Sequence, residues 1–222
     1  DTMPHVLIRT ADNNFRFTEV DGSNYTISGT QYSVPNYEGR IVGDEISASD
    51  PSFINSKIND VFLFRNRLGF IAGENIIMSR SGDFFKFYPE TVTQILDTDQ
   101  IDINVSHTKV STLRHAIPFN EELLIFSDQT QFNVGTAAST LTPKTVNAVV
   151  STEFENNKLT KPVSIGKSVF FMFDKGTFSG MREYFINQNE VKDSDDVSGN
   201  IPKYLPANFY KLAAATNESI IC

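Results

Sequence analysis

Several side chains in this sequence have the types and spacing of known chemical sites, and a phosphate-binding loop is the first to consider. Gly166, Lys167 and Ser168 have the order in which such a loop ends. The loop also needs a glycine five positions before Gly166, where Lys161 stands, and a following helix whose N-terminus holds the phosphate. Because strand-like apolar runs flank these residues on both sides, we predict a hairpin turn here instead.

Two groups of acidic residues have the composition of a cation site. They are Asp97, Asp99, Asp102 and Asn104 in the first group, and Asp193, Asp195 and Asp196 in the second. A twelve-residue calcium loop requires a central glycine and a closing glutamate, and neither group follows that pattern. We therefore interpret both groups as solvated carboxylates and predict no bound metal.

The histidines and the cysteine do not have the spacing of a zinc site. His5, His107 and His115 are far apart or separated by a turn-like segment, and the single cysteine, Cys222, is the last residue. We interpret the histidines as polar groups at strand edges. With one cysteine no disulfide can form within the chain, so the sequence gives no support for secretion.

Catalytic arrangements are also missing from the sequence pattern. The GTFSG stretch that begins at Gly176 has its serine one place too late for a nucleophile elbow. Glu121 and Glu122 would point to opposite faces of a strand, so they cannot act as a pair of glycosidase carboxylates. We expect no catalytic residue, no cofactor site and no enzymatic activity.

Basic residues and aromatic rings alternate in one stretch, as they do in platforms for single-stranded nucleic acid. The basic residues are Arg65, Arg67, Arg80 and Lys86, and the rings are Phe84, Phe85, Phe87 and Tyr88. The whole chain, however, has a formal net charge of −8, which opposes general attraction to phosphate backbones. We predict that the rings are core residues and that the basic groups form ion pairs around them.

The elements that would position these residues follow a repeated pattern of apolar strand, turn, apolar strand and turn. The first turns are placed at Asn66, Asn120 and Gly166, and the second turns at Glu74, Asp128 and Asp174. Each second turn follows its first turn by eight residues, and the first turns are 54 and 46 residues apart. A fourth copy has its first turn at Asn217, 51 residues after Gly166. Asn and Gly suit these tips because tight hairpins need positive φ.

A period of forty to fifty residues with several short strands is typical of propeller blades. We therefore predict an all-β, β-propeller-like fold with antiparallel three- to four-stranded blades of about 50 residues, incomplete in this chain. Residues 1–57 are predicted to form a leading hairpin and a long connection, followed by blades at about 58–105, 106–155 and 156–205 and the start of another at 206–222. Further strands are predicted at NYTIS and RIVGD, and residues 187–208 are predicted to form a surface loop.

Composition places the chain among ordinary globular proteins, with 40% hydrophobic and 21% charged residues. No apolar run approaches the roughly 20 residues that span a bilayer. The first residue is Asp1, which precedes Met3, and the chain stops within the fourth copy. We therefore expect it to be an internal piece of a longer protein.

Long stretches of the sequence closely resemble the tail tubular protein B family, the nozzle proteins of T7-like short-tailed phages. The similar features include NRLGF from Asn66, MSRSGDFFKFYP from Met78, DTDQIDINVSH from Asp97 and ELLIFSDQTQF from Glu122. The MPHVLIR opening, the PSFINSKINDVFLF run, TPKTV and GTFSGMREY are also similar. The likeness covers most of the chain and is weakest at residues 21–50 and 187–210.

The resemblance implies a non-catalytic virion component: a homohexameric ring in the tail, below the adaptor ring of tail tubular protein A. Such a ring attaches tail fibres, lets DNA pass during ejection and is assembled in the host cytoplasm. The family motif brings no catalytic residue, so none is assigned. The alternative is a propeller-type protein that degrades or binds glycans during host entry.

Overall fold

The computed structural model describes residues 5–106, 108, 111–136, 140–189 and 191–222, and in these ranges the regular structure is entirely β. The strands are β1 (His5–Arg9), β2 (Phe15–Glu19), β3 (Asn24–Ile27), β4 (Thr30–Ser33), β5 (Ile58–Phe64), β6 (Arg67–Ala72), β7 (Asn75–Met78), β8 (Ile101–Asn104), β9 (Leu113–Phe119), β10 (Glu122–Ser127), β11 (Gln131–Gly135), β12 (Asn147–Thr152), β13 (Val163–Ile165), β14 (Ser168–Lys175), β15 (Phe178–Ile186), β16 (Lys192–Asp196), β17 (Ala214–Ala215) and β18 (Ile220–Ile221). The described part of the chain contains no helix of the length and apolarity needed to cross a membrane.

Three antiparallel four-stranded sheets form the body of the chain. Sheet 1 contains β5 to β8, sheet 2 contains β9 to β12 and sheet 3 contains β13 to β16, each in sequence order. The remaining strands pair as the hairpins β1–β2, β3–β4 and β17–β18. The all-β prediction is therefore confirmed, as is the antiparallel pairing within the sheets. The closed propeller and the division into domains remain proposals.

The first hairpin of each sheet turns where positive φ was predicted. Asn66, Asn120 and Gly166 have φ values of 59°, 46° and 56°. In sheet 1 Arg65 also has positive φ, and strand register makes Arg65 the equivalent of Asn120 and Gly166. The repeat was thus found correctly, although its alignment was shifted by one residue in the first copy.

Three other local predictions were wrong. The second turn of sheet 3 is not at Asp174, because β14 continues to Lys175 and pairs there with Phe178. Strand β16 lies inside the predicted loop 187–208, where its polar KDSDD sequence gives no apolar signal. RIVGD forms no strand, whereas β4 pairs with the strand predicted at NYTIS.

The sheets are stacked face to face by apolar side chains that alternate along their strands. Sheets 1 and 2 share a core that includes Phe62, Ile76, Leu123 and Phe132. Sheets 2 and 3 share a second core that includes Phe126 and Phe171 from β10 and β14. Sheets 1 and 3 therefore each contribute one face to this stack, and sheet 2 contributes both of its faces.

The far face of sheet 1 is covered by loop residues instead of a further sheet. Phe53 and Phe87 pack against Phe70 with ring centroids 5.1 and 5.3 Å apart, and Tyr37 lies against Phe87. Ile77 of β7 belongs to the same cluster. Residues of the long connection before sheet 1 therefore take part in its core, which a simple surface loop would not do.

Glycine allows two phenylalanine rings to lie flat across neighbouring strands. Phe62 is paired with Gly69 in sheet 1, and Phe173 is paired with Gly180 in sheet 3. A Cβ atom placed on either glycine would collide with the ring of its partner. The ring of the paired phenylalanine therefore occupies the space above each glycine, as it does where an aromatic side chain shields a strand glycine.

We predict that Gly69→Ala lowers the free energy of unfolding by about 1–3 kcal/mol, because the added methyl group forces Phe62 out of the core shared with sheet 2. Urea unfolding measures the loss. Gly39→Ala is the matched control, since nothing lies within 4 Å of the position where its Cβ atom would be. Equal effects of both substitutions would contradict the role given to Gly69.

Candidate functional site

Strand register identifies three equivalent positions in the three sheets. The pair that closes the first hairpin is Phe64 with Arg67 in sheet 1, Phe119 with Glu122 in sheet 2, and Ile165 with Ser168 in sheet 3. Four residues before the first member of each pair stand Asp60, His115 and Lys161. The three side chains therefore occupy the same place in successive repeats.

These equivalent side chains meet where the first strands of the sheets lie side by side. The Asp60 carboxylate is 2.6 and 2.8 Å from the Lys161 ammonium group, and it accepts a hydrogen bond of 2.9 Å from the Ala116 backbone N–H. Asp60 belongs to sheet 1, Ala116 to sheet 2, and Lys161 immediately precedes sheet 3. One carboxylate thus connects all three sheets.

A β-bulge at the same place in two sheets turns these side chains toward each other. Asn59 is the extra residue in β5, and Arg114 is the extra residue in β9. Asn59 donates a 2.7 Å hydrogen bond to the Leu113 carbonyl, which joins sheets 1 and 2. Arg114 binds Asp128 through Nε and Nη2, and this guanidinium group lowers the pKa of Asp128. Bulges re-aim side chains in this way.

His115 lies buried beside the ion pair. Burial lowers the pKa of His115, while the Asp60 carboxylate opposes this shift. Its Nε2 atom is buried and has no hydrogen-bond partner among the described residues. The imidazole is therefore neutral near pH 7 and serves as a packed polar side chain.

Arg67 provides a second connection, between sheets 1 and 2. Its side chain is 1% exposed, and its guanidinium group donates hydrogen bonds to the carbonyls of Ser79, Asp97 and Asp99, at 2.8 Å for Ser79 and 3.0 Å for Asp97. A longer contact of 3.5 Å reaches the Leu141 carbonyl in the β11–β12 connection. The planar fork of N–H donors reaches carbonyls that lie apart from one another, whereas the compact ammonium group of a lysine presents its three donors from a single atom.

The structure gives outcomes for the predicted chemical motifs. Gly166 forms the β13–β14 hairpin turn, so the hairpin prediction is confirmed there. Asp193 and Asp195 are exposed, as predicted, but Asp99 is 3% exposed and accepts hydrogen bonds from the backbone N–H groups of Leu96 and Glu90. The interpretation of Asp99 as a solvated carboxylate was wrong.

The other candidate groups have structural partners. His5 lies on the β1–β2 hairpin beside Glu19, whereas His107 lies outside the described residues. Glu122 forms an ion pair of 2.7 Å with Lys192. In the described part of the chain no three His, Cys, Asp or Glu side chains are close enough to hold a metal ion.

The basic stretch forms ion pairs at Arg80 and Lys86, as predicted, but of the four rings only Phe87 is buried in the core, and the prediction was wrong for Phe84, which is 37% exposed. Arg80 pairs with Glu90, and Lys86 lies 3.4 Å from Glu38. Arg67 differs from this prediction because it is inside the core and binds backbone carbonyls. Sequence reasoning also missed Asp60 and Lys161 as partners. Aligning the repeats by hairpin register would have shown that the two residues occupy equivalent positions.

We predict that Arg67→Met destabilises the protein by roughly 3 kcal/mol, because several buried carbonyls lose their donor. Arg67→Lys should restore only part of the loss. Chemical denaturation measures both. Arg9→Met is the control, since Arg9 is exposed and its guanidinium group binds Asn13 on the same hairpin. A loss for Arg67→Met no larger than for the control would contradict the prediction.

We also predict that His115 makes the protein less stable as the pH falls. The unfolded histidine has a pKa near 6.5 and the folded one a lower pKa, so the unfolded state binds more protons between these values. The free energy of unfolding therefore decreases as the pH drops from 6.5 through this window. His115→Gln should flatten the profile between pH 7 and 5 in urea titrations. Parallel profiles for the two proteins would contradict this.

Comparison with known proteins agrees with the resemblance found in the sequence. Residues 1–222 match the family model for the bacteriophage nozzle protein. The chain is 38% identical over 221 residues to the tail tubular protein gp12 of Escherichia phage T7, which covers 99% of this chain and 26% of that protein. The chain therefore spans about a quarter of the length of this curated relative.

The family model and the relative both describe phage tail proteins, which supports a structural role in the virion tail. The contacts that join the sheets, which are the two apolar cores and the bonds of Asp60, hold the fold together and are compatible with that role. The chain belongs to the bacteriophage nozzle protein family.

Proposed function

We propose that this chain is a non-catalytic scaffold segment of a phage tail nozzle and that its sheets are blades of a β-propeller-like body. Membership of the nozzle family supports the tail role. The observation that carries the propeller is the convergence of Asp60, His115 and Lys161, which occupy equivalent positions in three successive repeats. Equivalent positions that meet indicate repeats arranged around a common axis.

The contacts between the sheets support this arrangement. The first strands lie next to one another in sequence, with β5 beside β9, β9 beside β13 and β13 beside β17. The later strands of each sheet lead away from this line in order. In the proposal, residues 1–57 precede blades at about 58–105, 106–155 and 156–205, and residues 206–222 begin another blade.

A stack of sheets that are joined along their first strands, β5, β9 and β13, would suit a passage for DNA. The two apolar cores, the Asp60 ion pair and the contact of Arg67 with the Leu141 carbonyl all oppose sliding of one sheet against the next. The net charge of −8 disfavours adhesion to the phosphate backbone. The proposed nozzle would therefore hold its shape while DNA passes transiently.

The partners in this proposal are those of a tail: five further copies in a homohexamer, the adaptor ring of tail tubular protein A and the tail fibres. The protein would assemble in the host cytoplasm and reside in the virion tail. We assign these contacts to exposed residues of segments 21–57 and 187–208. Ile41 and Ile46 are 61% and 92% exposed in the first segment, and Ile201 and Tyr204 are 50% and 75% exposed in the second.

The test uses the full-length protein, because Tyr37 and Phe53 belong to the core of sheet 1 and deletion of the first segment would expose that core. Electron microscopy of the purified protein is expected to show a six-fold ring with a central bore. An absence of rings, or glycan hydrolysis that a point substitution abolishes, would overturn the proposal.

The segment contacts are tested with two double variants, Ile41→Ser with Ile46→Ser, and Ile201→Ser with Tyr204→Ser. We expect each to reduce ring formation or the binding of adaptor or fibre protein, since exposed apolar side chains mark interfaces. Leu159→Ser, at a residue that is 71% exposed outside both segments, is the control. Normal assembly and attachment in both double variants would show that these residues do not carry the contacts.

A further inference from the structure

We draw no further inference here: the strongest candidate, the exposed apolar face of the β1–β2 hairpin that carries Leu7, Phe15 and Phe17, is an unpartnered surface, and nothing in the described part of the chain shows what covers it.

Discussion

A sheet with apolar side chains on both faces cannot leave either face in water, and this constraint shapes the whole chain. Phe62 and Phe70 are on opposite sides of sheet 1, and both are buried. Sheet 2 has the same character, with Ile125 facing sheet 1 and Phe126 facing sheet 3. Burial of apolar surface therefore drives the sheets into a stack, and sheets 1 and 2 each depend on the following sheet for one of their two cores.

Apolar burial alone does not fix how the sheets are aligned, and polar contacts supply that information. The ion pair between Asp60 and Lys161 can form only when the first strands of sheets 1 and 3 are aligned with the same part of the first strand of sheet 2. Arg67 mainly holds sheet 1 together, because the carbonyls of Ser79, Asp97 and Asp99 lie in that sheet's own β7–β8 connection, and it reaches sheet 2 through the 3.5 Å contact with Leu141. The Asp60 carboxylate is mostly buried, so a shifted stack would leave it without its partners, and an unpaired buried polar group is costly.

Much of the fold was predictable from the sequence because hairpin signals are local. Asn120 and Gly166 mark tips where positive φ is required, and the apolar runs on each side predict paired strands. Strand β16 was missed because its buried residue, Ser194, is polar and alternates with charged residues. The length of β14 was misjudged because Asp174 looks like a turn residue, yet it is paired with Ser179 within the sheet.

The polar connections were less predictable, since they join residues that are far apart in sequence. Asp60 and Lys161 are separated by 101 residues, and nothing near either of them indicates the other. Arg67 was assigned to the ion-paired groups around the rings because the net charge of −8 argued against a nucleic-acid platform, and its carbonyl partners have no sequence signature. The bulges at Asn59 and Arg114 could not be predicted either, because a β-bulge depends on how two strands pair.

The cover on the far face of sheet 1 has a consequence for the order of folding during synthesis. Tyr37 and Phe53 leave the ribosome before sheet 1, and Phe87 follows within the same sheet. One face of the first sheet can therefore be protected from aggregation before any later repeat has been translated. Each following sheet then meets an already formed partner surface, so the chain can be built vectorially from its leading end.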